Sequence, residues 1–301
     1  IILTGEAGTS DAEMSGLTWY KDNLFLLPQY PHRFTDISGT GKFFKLSKAN
    51  INDYINGYFT SLEPVSVLVT NIPQNIDGFE GFEAIAFKEN NVYLLLEAKQ
   101  NSVACGYIIS GIINSNASEI TLDTTSLIKI DTPADVGNAS FESIVLTDNY
   151  ILCIFEGNGK NINTNPVAKV FNYELIEQPE IVFPSVEYRI TDATAITADK
   201  SFYVINYYYP GDSSVYLPSY DEFSCIFDRP GSHKEEKRTE RIIKLRYYNN
   251  RIEFVNVPPV YLELRNDNLS RNWEGIELLS EDTFLIVTDK FPDTYLGYFK
   301  E

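Results

Sequence analysis

The sequence predicts an all-β chain folded as a five-bladed β-propeller, with the ring closed by the N-terminal strand. Three observations predict it. Tyr (20) and Phe (19) are abundant. Apolar runs of about four to eight residues are punctuated by Asn, Asp, Gly and Pro, as strands and their turns require. A two-strand motif recurs along the whole chain. No segment sustains a 3.6-residue period, and only residues 47–57 read as a short helix.

In each copy of the motif a Ser, Glu or Asp opens a short apolar strand. A tight polar turn follows, and a second apolar strand ends on an oxygen-bearing side chain. Ser15 leads to Gln29, Glu83 to Glu97, Glu142 to Glu156, Asp192 to Asn206 and Glu274 to Asp289; the first four pairs are 14 positions apart and the last 15. Further strand-like runs follow each hairpin, giving units of about 60 residues with four strands each. The last unit lacks a fourth strand, and residues 1–4 are expected to supply it and remove two exposed edges. The two ends then meet in one unit, so residues 1–301 read as a single domain. A β-sandwich with coincidental spacing is the alternative. The largest insertion, residues 207–238, is rich in Pro, Gly, Ser and Tyr and reads as a long loop.

Composition narrows the function. With 24 Lys and Arg against 42 Asp and Glu, the net charge is −18, which opposes nucleic acid and anionic membranes as partners. At 44% hydrophobic the chain can fill a core, and its apolar runs are too short to span a bilayer. The first residues lack a signal-peptide pattern, which fits a cytoplasmic protein or a trimmed mature one. Cys105, Cys153 and Cys225 are scattered and odd in number, so no disulfide framework is expected. Two histidines, His32 and His233, leave little room for histidine-based zinc sites or a Ser-His-Asp triad.

The first strand of a propeller unit faces the axis, so its opening residue lies at one mouth of the channel. Ser15, Glu83, Glu142, Asp192 and Glu274 are therefore expected to form an inner ring, flanked by Gln29, Glu97, Glu156, Asn206 and Asp289. Four carboxylates about 6 Å apart at an effective dielectric of ~20 cost roughly 3 kcal/mol per pair, on the order of 10 kcal/mol in all. Protonation or a bound cation relieves this. Oxygen-only donors suit Ca²⁺; the alternative is that each acid caps the free N–H groups of its own strand start. Arg33, Lys99, Lys160 and Lys290 follow four of the closing residues within four positions, which suggests a basic rim able to hold a phosphate-containing substrate, or simply solvated surface charge. His32 is the histidine nearest that mouth and the candidate acid or base.

Other motifs fail. Gly39-Thr-Gly-Lys42 echoes a phosphate loop, but Phe43 replaces the required Ser or Thr. No Gly-x-Ser-x-Gly elbow exists. Sequons at Asn116, Asn138 and Asn268 are common by chance in an Asn-rich chain.

Asn272-Trp-Glu-Gly-Ile-Glu-Leu-Leu, followed by Thr283-Phe-Leu-Ile-Val-Thr-Asp289, resembles the Glu-Gly-(Leu/Ile) strand pair of the phytase-like ("esterase-like activity of phytase") propellers. Gly81-Phe-Glu-Ala-Ile-Ala and Ser15-Gly-Leu-Thr resemble the same opening. The order Ser, Glu, Glu, acid, Glu is also similar to the ring holding an axial calcium in five-bladed calcium-dependent nucleotidases (apyrases). There the fourth unit supplies Ser, where Asp192 stands here, and the nucleotide-binding loops of apyrases are not recognisable. The resemblance implies a secreted, periplasmic or cell-envelope protein that binds calcium and hydrolyses phosphoesters, and the chain is expected to be a monomer. The alternative is a non-catalytic propeller with a structural calcium, binding a protein or glycan through its loops.

Overall fold

The structure, a computed structural model, describes residues 1–137, 139–267, 269–290 and 294–300. Asn138 and Asn268, two of the three sequon positions, lie outside the described residues. The fold is all-β and consists of successive antiparallel meanders. The first contains β1 (Met14–Tyr20), β2 (Asn23–Pro28), β3 (Thr40–Ser47) and β4 (Val65–Thr70). The second contains β5 (Phe79–Lys88), β6 (Asn91–Gln100), β7 (Val103–Ile113), β8 (Glu119–Leu122) and β9 (Ile128–Asp131). β10 (Phe141–Leu146), β11 (Ile151–Phe155), β12 (Val167–Phe171) and β13 (Glu177–Val182) form the third. The fourth is β14 (Arg189–Ala193), β15 (Ser201–Tyr208), β16 (Thr239–Tyr248), β17 (Arg251–Phe254) and β18 (Val260–Tyr261). β19 (Trp273–Ser280), β20 (Thr283–Thr288) and β21 (Leu296–Lys300) follow. Helix α1 (Lys48–Ile55) falls within the expected segment and begins where the Ser47 hydroxyl accepts the Asn50 N–H at 3.1 Å.

The expected five separate blades, closed by the N-terminal strand, are corrected in two respects. Hydrogen bonds join the meanders into two nine-stranded sheets and one three-stranded sheet. The joints are parallel pairings of outer strands: β4 with β8 through Leu68, Val69 and Thr70, and β13 with β17 at Val182 and Arg251. The N-terminal segment also adds no strand to β21 among the described residues. It bridges Leu3 to Leu62 in the first meander, with Leu62 N–H donating to Ile2 O at 2.8 Å and Thr4 N–H to Leu62 O at 2.9 Å. A single bond from Ile1 N to Leu296 O, 2.7 Å, reaches the last meander. The reason is local: residues after α1 offer Leu62 an extended partner, and Ile1 and Leu3 pack with Met14, Leu26, Phe44 and Leu296 in the core between the first and last meanders.

The inner strands contact one another in a cycle, β1 with β5, β5 with β10, β10 with β14, β14 with β19 and β19 with β1. Buried and half-buried side chains staple the seam of this cycle. Asp192 accepts N–H groups of Ile276 on β19 at 2.8 Å, Ala193 at 2.8 Å and Leu17 on β1 at 3.4 Å. The Trp19 indole donates to Leu278 O at 2.8 Å, and Thr191 Oγ1 donates to Trp273 O at 2.5 Å. Apolar clusters fill the spaces between neighbouring meanders, for instance Phe25, Phe43 and Val67 against Phe82, Leu94 and Leu96. Cys105 and Cys153 are buried and Cys225 is exposed. No helix among the described residues is long and apolar enough to cross a membrane.

Each buried N–H stripped of its acceptor costs about 1–3 kcal/mol. Asp192→Ala is therefore expected to lower unfolding free energy by about 3 kcal/mol or more in urea titrations. A change within about 0.5 kcal/mol, the usual effect of a surface substitution, would show that the staple does not hold the seam.

Candidate functional site

Four inner strands aim their opening residues by the same device. The β-ladder slips between Met14 and Gly16, Phe82 and Ala84, Phe141 and Ser143, and Trp273 and Gly275. The bulged residues are Ser15, Glu83, Glu142 and Glu274. A β-bulge places an extra residue outside the ladder and re-aims its side chain; here all four line one axial cavity of about 180 Å³. Gln29, Glu97 and Asp289 line it too, joined by Glu13, Asn272 and Arg189. The convergence of separate stretches on one point, the basis of the sequence reading, is thus present for these residues.

Asp192 is not among the lining residues. Its bulge lies between Ile190 and Ala193, and the β14–β15 ladder runs on toward the mouth through Ile190↔Asn206 and Arg189↔Tyr207. The β5 ladder extends likewise past Glu83, so the difference lies in the side chain: Asp192 turns onto the amides of Ile276, Ala193 and Leu17 at the seam, and Arg189 lines the mouth instead. Arg189 Nη2 stands 3.5 Å from Glu274 Oε1 and 3.6 Å from Glu142 Oε1. Its Nε donates to Glu156 Oε1, and Nη1 reaches Asn272 Oδ1 at 3.4 Å. Asn206 fixes the backbone beneath it, donating to Arg189 O at 3.0 Å and Glu187 O at 2.9 Å. Tyr207 and Tyr216 present their rings to the guanidinium at 5.7 and 5.8 Å, a favourable cation–π arrangement. Tyr216 lies on helix α2 (Ser213–Tyr216), so the insertion walls the arginine in.

The flanking residues divide. Gln29 Nε2 donates to Glu83 Oε1 at 3.2 Å, and Asn272 Nδ2 to Asp289 Oδ2 at 3.0 Å. Glu156 is fully buried beside Arg189. Of the expected rim, Arg33 and Lys290 both close on Glu13 Oε1, at 2.8 and 2.7 Å. Lys160 pairs with Glu222 at 2.6 Å on the surface, and neither it nor Lys99 lines the cavity. His32 lines a neighbouring groove instead. His233 is buried in the insertion, its Nε2 accepting the Glu240 N–H at 3.1 Å.

Electrostatics separate these acids into two groups. Burial pushes Glu83 and Glu142 well above the usual carboxyl range, with Glu97 and Glu156 respectively adding to it. Burial raises Glu274 to about 8 against the pull of Arg189, and Glu97 to about 7. Glu13 behaves oppositely: burial raises it, but hydrogen bonds from Lys290 and Arg33 outweigh that and hold it below its ordinary value. Its backbone is left-handed, φ 37°, a conformation that costs of order 1–3 kcal/mol in a non-glycine residue and clusters at functional sites.

The fit to calcium is poor on two counts. Ser15, Glu83, Glu142 and Glu274 supply the right oxygen chemistry, and Glu142 Oε2 is buried with no hydrogen-bond partner among the described residues. A guanidinium already stands among them, however, and repels a second cation at this range. No group of three or more His, Cys, Asp or Glu among the described residues is placed to hold a metal.

The sequence reading missed Glu13, Arg189, Asn272 and Tyr216. Arg189 carried a signal, a lone basic residue opening an apolar strand; Glu13 carried none beyond standing two residues before Ser15.

No family model matches the chain, and no curated protein matches its sequence. Solved structures do match in shape. The GH43 BlXynB protein of Bacillus licheniformis aligns with 93% of this chain at TM-score 0.50 and 7% identity. A putative glycoside hydrolase of Parabacteroides distasonis covers 95% at 0.51 and 10%, spanning 86% of that structure. An exo-1,5-alpha-L-arabinanase from a bovine ruminal metagenomic library covers 96% at 0.51 and 7%, spanning 94% of that structure. The chain spans 49% of the length of the first. These likenesses support a propeller fold, as found in β-propeller glycoside hydrolases, and not a phytase-like family.

The raised carboxyls make stability fall with pH. Between their unfolded value, 4.5, and their folded values of about 7 for Glu97 and about 8 for Glu274, the folded protein holds protons that the unfolded chain has released. Unfolding free energy then declines as pH rises through that window. Melting temperatures measured from pH 5 to pH 9 are expected to fall, with a shallower slope in Glu274→Gln. A wild-type curve that rises across the window contradicts the protonated ring.

Proposed function

We propose that the protein is a hydrolase that cleaves a glycosidic bond, holding one neutral sugar unit in the axial cavity. The observation that carries this reading is a single cavity in which a carboxylate kept ionised, Glu13, faces carboxyls kept protonated, Glu274 foremost. Groups whose surroundings push their proton affinities apart are the signature of an acid and a base in one site. Glu274 donates its proton to the glycosidic oxygen as the bond breaks. Glu13 stabilises the positive charge that develops on the sugar ring, or orients the water that attacks it.

Two further features support it. Glu142 and Glu274 share one guanidinium nitrogen at 3.6 and 3.5 Å, so their oxygens stand within about 7 Å of each other. That limit is below the ~9.5 Å upper bound for the carboxyl pairs of glycosidases. The field of the cavity also selects the chemistry. Arg189 is engaged with Glu156 and the rim cations Arg33 and Lys290 with Glu13, so no cation among the described lining residues is left unpaired for a phosphate dianion, whereas a carboxyl that gives up its proton favours a cationic transition state. The phosphoester reading is accordingly set behind the glycoside one. The names glycoside hydrolase and arabinanase, carried by structures of similar fold, guide the choice of substrates.

Binding without turnover is the second reading. It is favoured by the clamp on Glu13, because a carboxylate held by two cations is a weak base.

The decisive experiment is a panel of 4-nitrophenyl glycosides (arabinofuranoside, xyloside, galactoside, mannoside) and the matching oligosaccharides. Turnover is expected with a bell-shaped pH profile whose alkaline limb falls near pH 8. Glu274→Gln is expected to lower kcat about 10²-fold or more, in line with loss of a general acid, with folding retained. EDTA is expected to leave the rate unchanged. Oligosaccharide binding with no product favours the binding module, and loss of rate with EDTA favours calcium in the ring.

A further inference from the structure

His32 stands outside the axial cavity, in a groove of about 370 Å³. The groove lies between the loop after β2 and the loop after β4, lined by His32, Asp36, Ser38, Thr40, Gln74 and Phe79 among others. Two chain segments tie it to the axial site. The short turn Pro31–Phe34 carries His32 into the groove and Arg33 onto Glu13. Strand β5 begins at Phe79 in the groove and reaches Glu83 in the axial cavity.

The groove's chemistry is neutral and two-sided. Its lining has no Lys or Arg to hold an anion and only one carboxylate, Asp36, to hold a cation. Thr35 and Thr40 share a hydroxyl contact of 3.2 Å, and Ser38 reaches Gln74 at 3.4 Å, so these side chains present both donors and acceptors. Burial and the nearby Arg33 hold the His32 imidazole below its ordinary range, hence neutral, with one nitrogen donating and one accepting. Hydroxyl groups make the same paired demand. Phe79 and Ile37 add apolar surface of the sort that meets the C–H face of a sugar ring.

We infer that this groove is a second subsite, which binds a further neutral, polyhydroxylated unit of the chain held in the axial cavity. The inference rests on the glycoside reading, and its test separates the two. His32→Ala and Gln74→Ala, both on the surface, are assayed beside wild type on a 4-nitrophenyl glycoside that wild type turns over and on the matching trisaccharide. Each variant is expected to raise KM for the trisaccharide tenfold or more, leaving kcat and the KM for the aryl glycoside unchanged. Equal effects on both substrates, or none on the trisaccharide, overturn the subsite while the hydrolase stands. If wild type turns over no glycoside, the hydrolase reading has failed and binding decides the groove. The His32 imidazole NMR signals of the protein must then shift on titration with arabinotriose, xylotriose or mannotriose, and the shift must weaken in Gln74→Ala. Silent His32 signals overturn the subsite.

Discussion

The structure depends on the placement of one positive charge. Separate strands bring Glu83, Glu97, Glu142, Glu156 and Glu274 to the axis, where burial removes the water that would otherwise separate their charges. Arg189 answers that convergence from within the chain, within 3.6 Å of Glu142 and Glu274 and bonded to Glu156. One guanidinium balances one carboxylate, so the remaining acids stay folded only by keeping their protons. The arginine is itself held in position by the Asn206 amide below its backbone and by the Tyr207 and Tyr216 rings beside it. A break in that support leaves buried charge unpaired, which costs more than the pair contributes when intact.

The same economy recurs deeper along the axis. Chain ends are the obvious way to close a cyclic arrangement, yet the N-terminal segment is spent on Leu62. The seam between β1, β14 and β19 is closed instead by one carboxyl, Asp192, which gathers amides from all three strands. Burial raises Asp192 well above its ordinary range while those amides pull it down. The outer ends are fastened differently again, by parallel pairing of β4 with β8 and of β13 with β17. Closure is thus distributed between a polar staple at the axis and ladder bonds at the periphery.

This explains what could be read from residues alone. The 14-residue spacing of the motif is real structure: it counts a hairpin whose first strand carries one bulged residue, and the bulge is what aims Ser15, Glu83 and Glu142. Alternation and turn residues made the strands and the axial convergence legible. Spacing says nothing of which way a side chain turns, however: Asp192 keeps the same distance to Asn206, yet it is drawn onto the amides of Ile276, Ala193 and Leu17 while Arg189 lines the cavity. That difference exchanges an acid for an arginine at the mouth. Residue type alone then asked for a metal, because the counter-charge lay three positions upstream of the motif. Side-by-side pairing of outer strands was equally invisible, since parallel partners such as Leu68 and Glu119 lie far apart in sequence.

Charge balance also decides what kind of reaction such a site suits. A cavity built from protonated acids is nearly neutral in its ground state and offers no strong attraction to an anion or a cation. It becomes favourable to a bound molecule at the moment positive charge appears there, because a carboxyl that has just given up its proton is an adjacent negative charge. Glu274, raised by burial to about 8 and restrained by Arg189, is poised for that exchange near neutral pH. Glu13 already carries its charge, held by Arg33 and Lys290 at the rim. The arginine therefore sets two properties together: it permits acids to be buried, and it keeps the proton affinity of Glu274 low enough for the proton to leave.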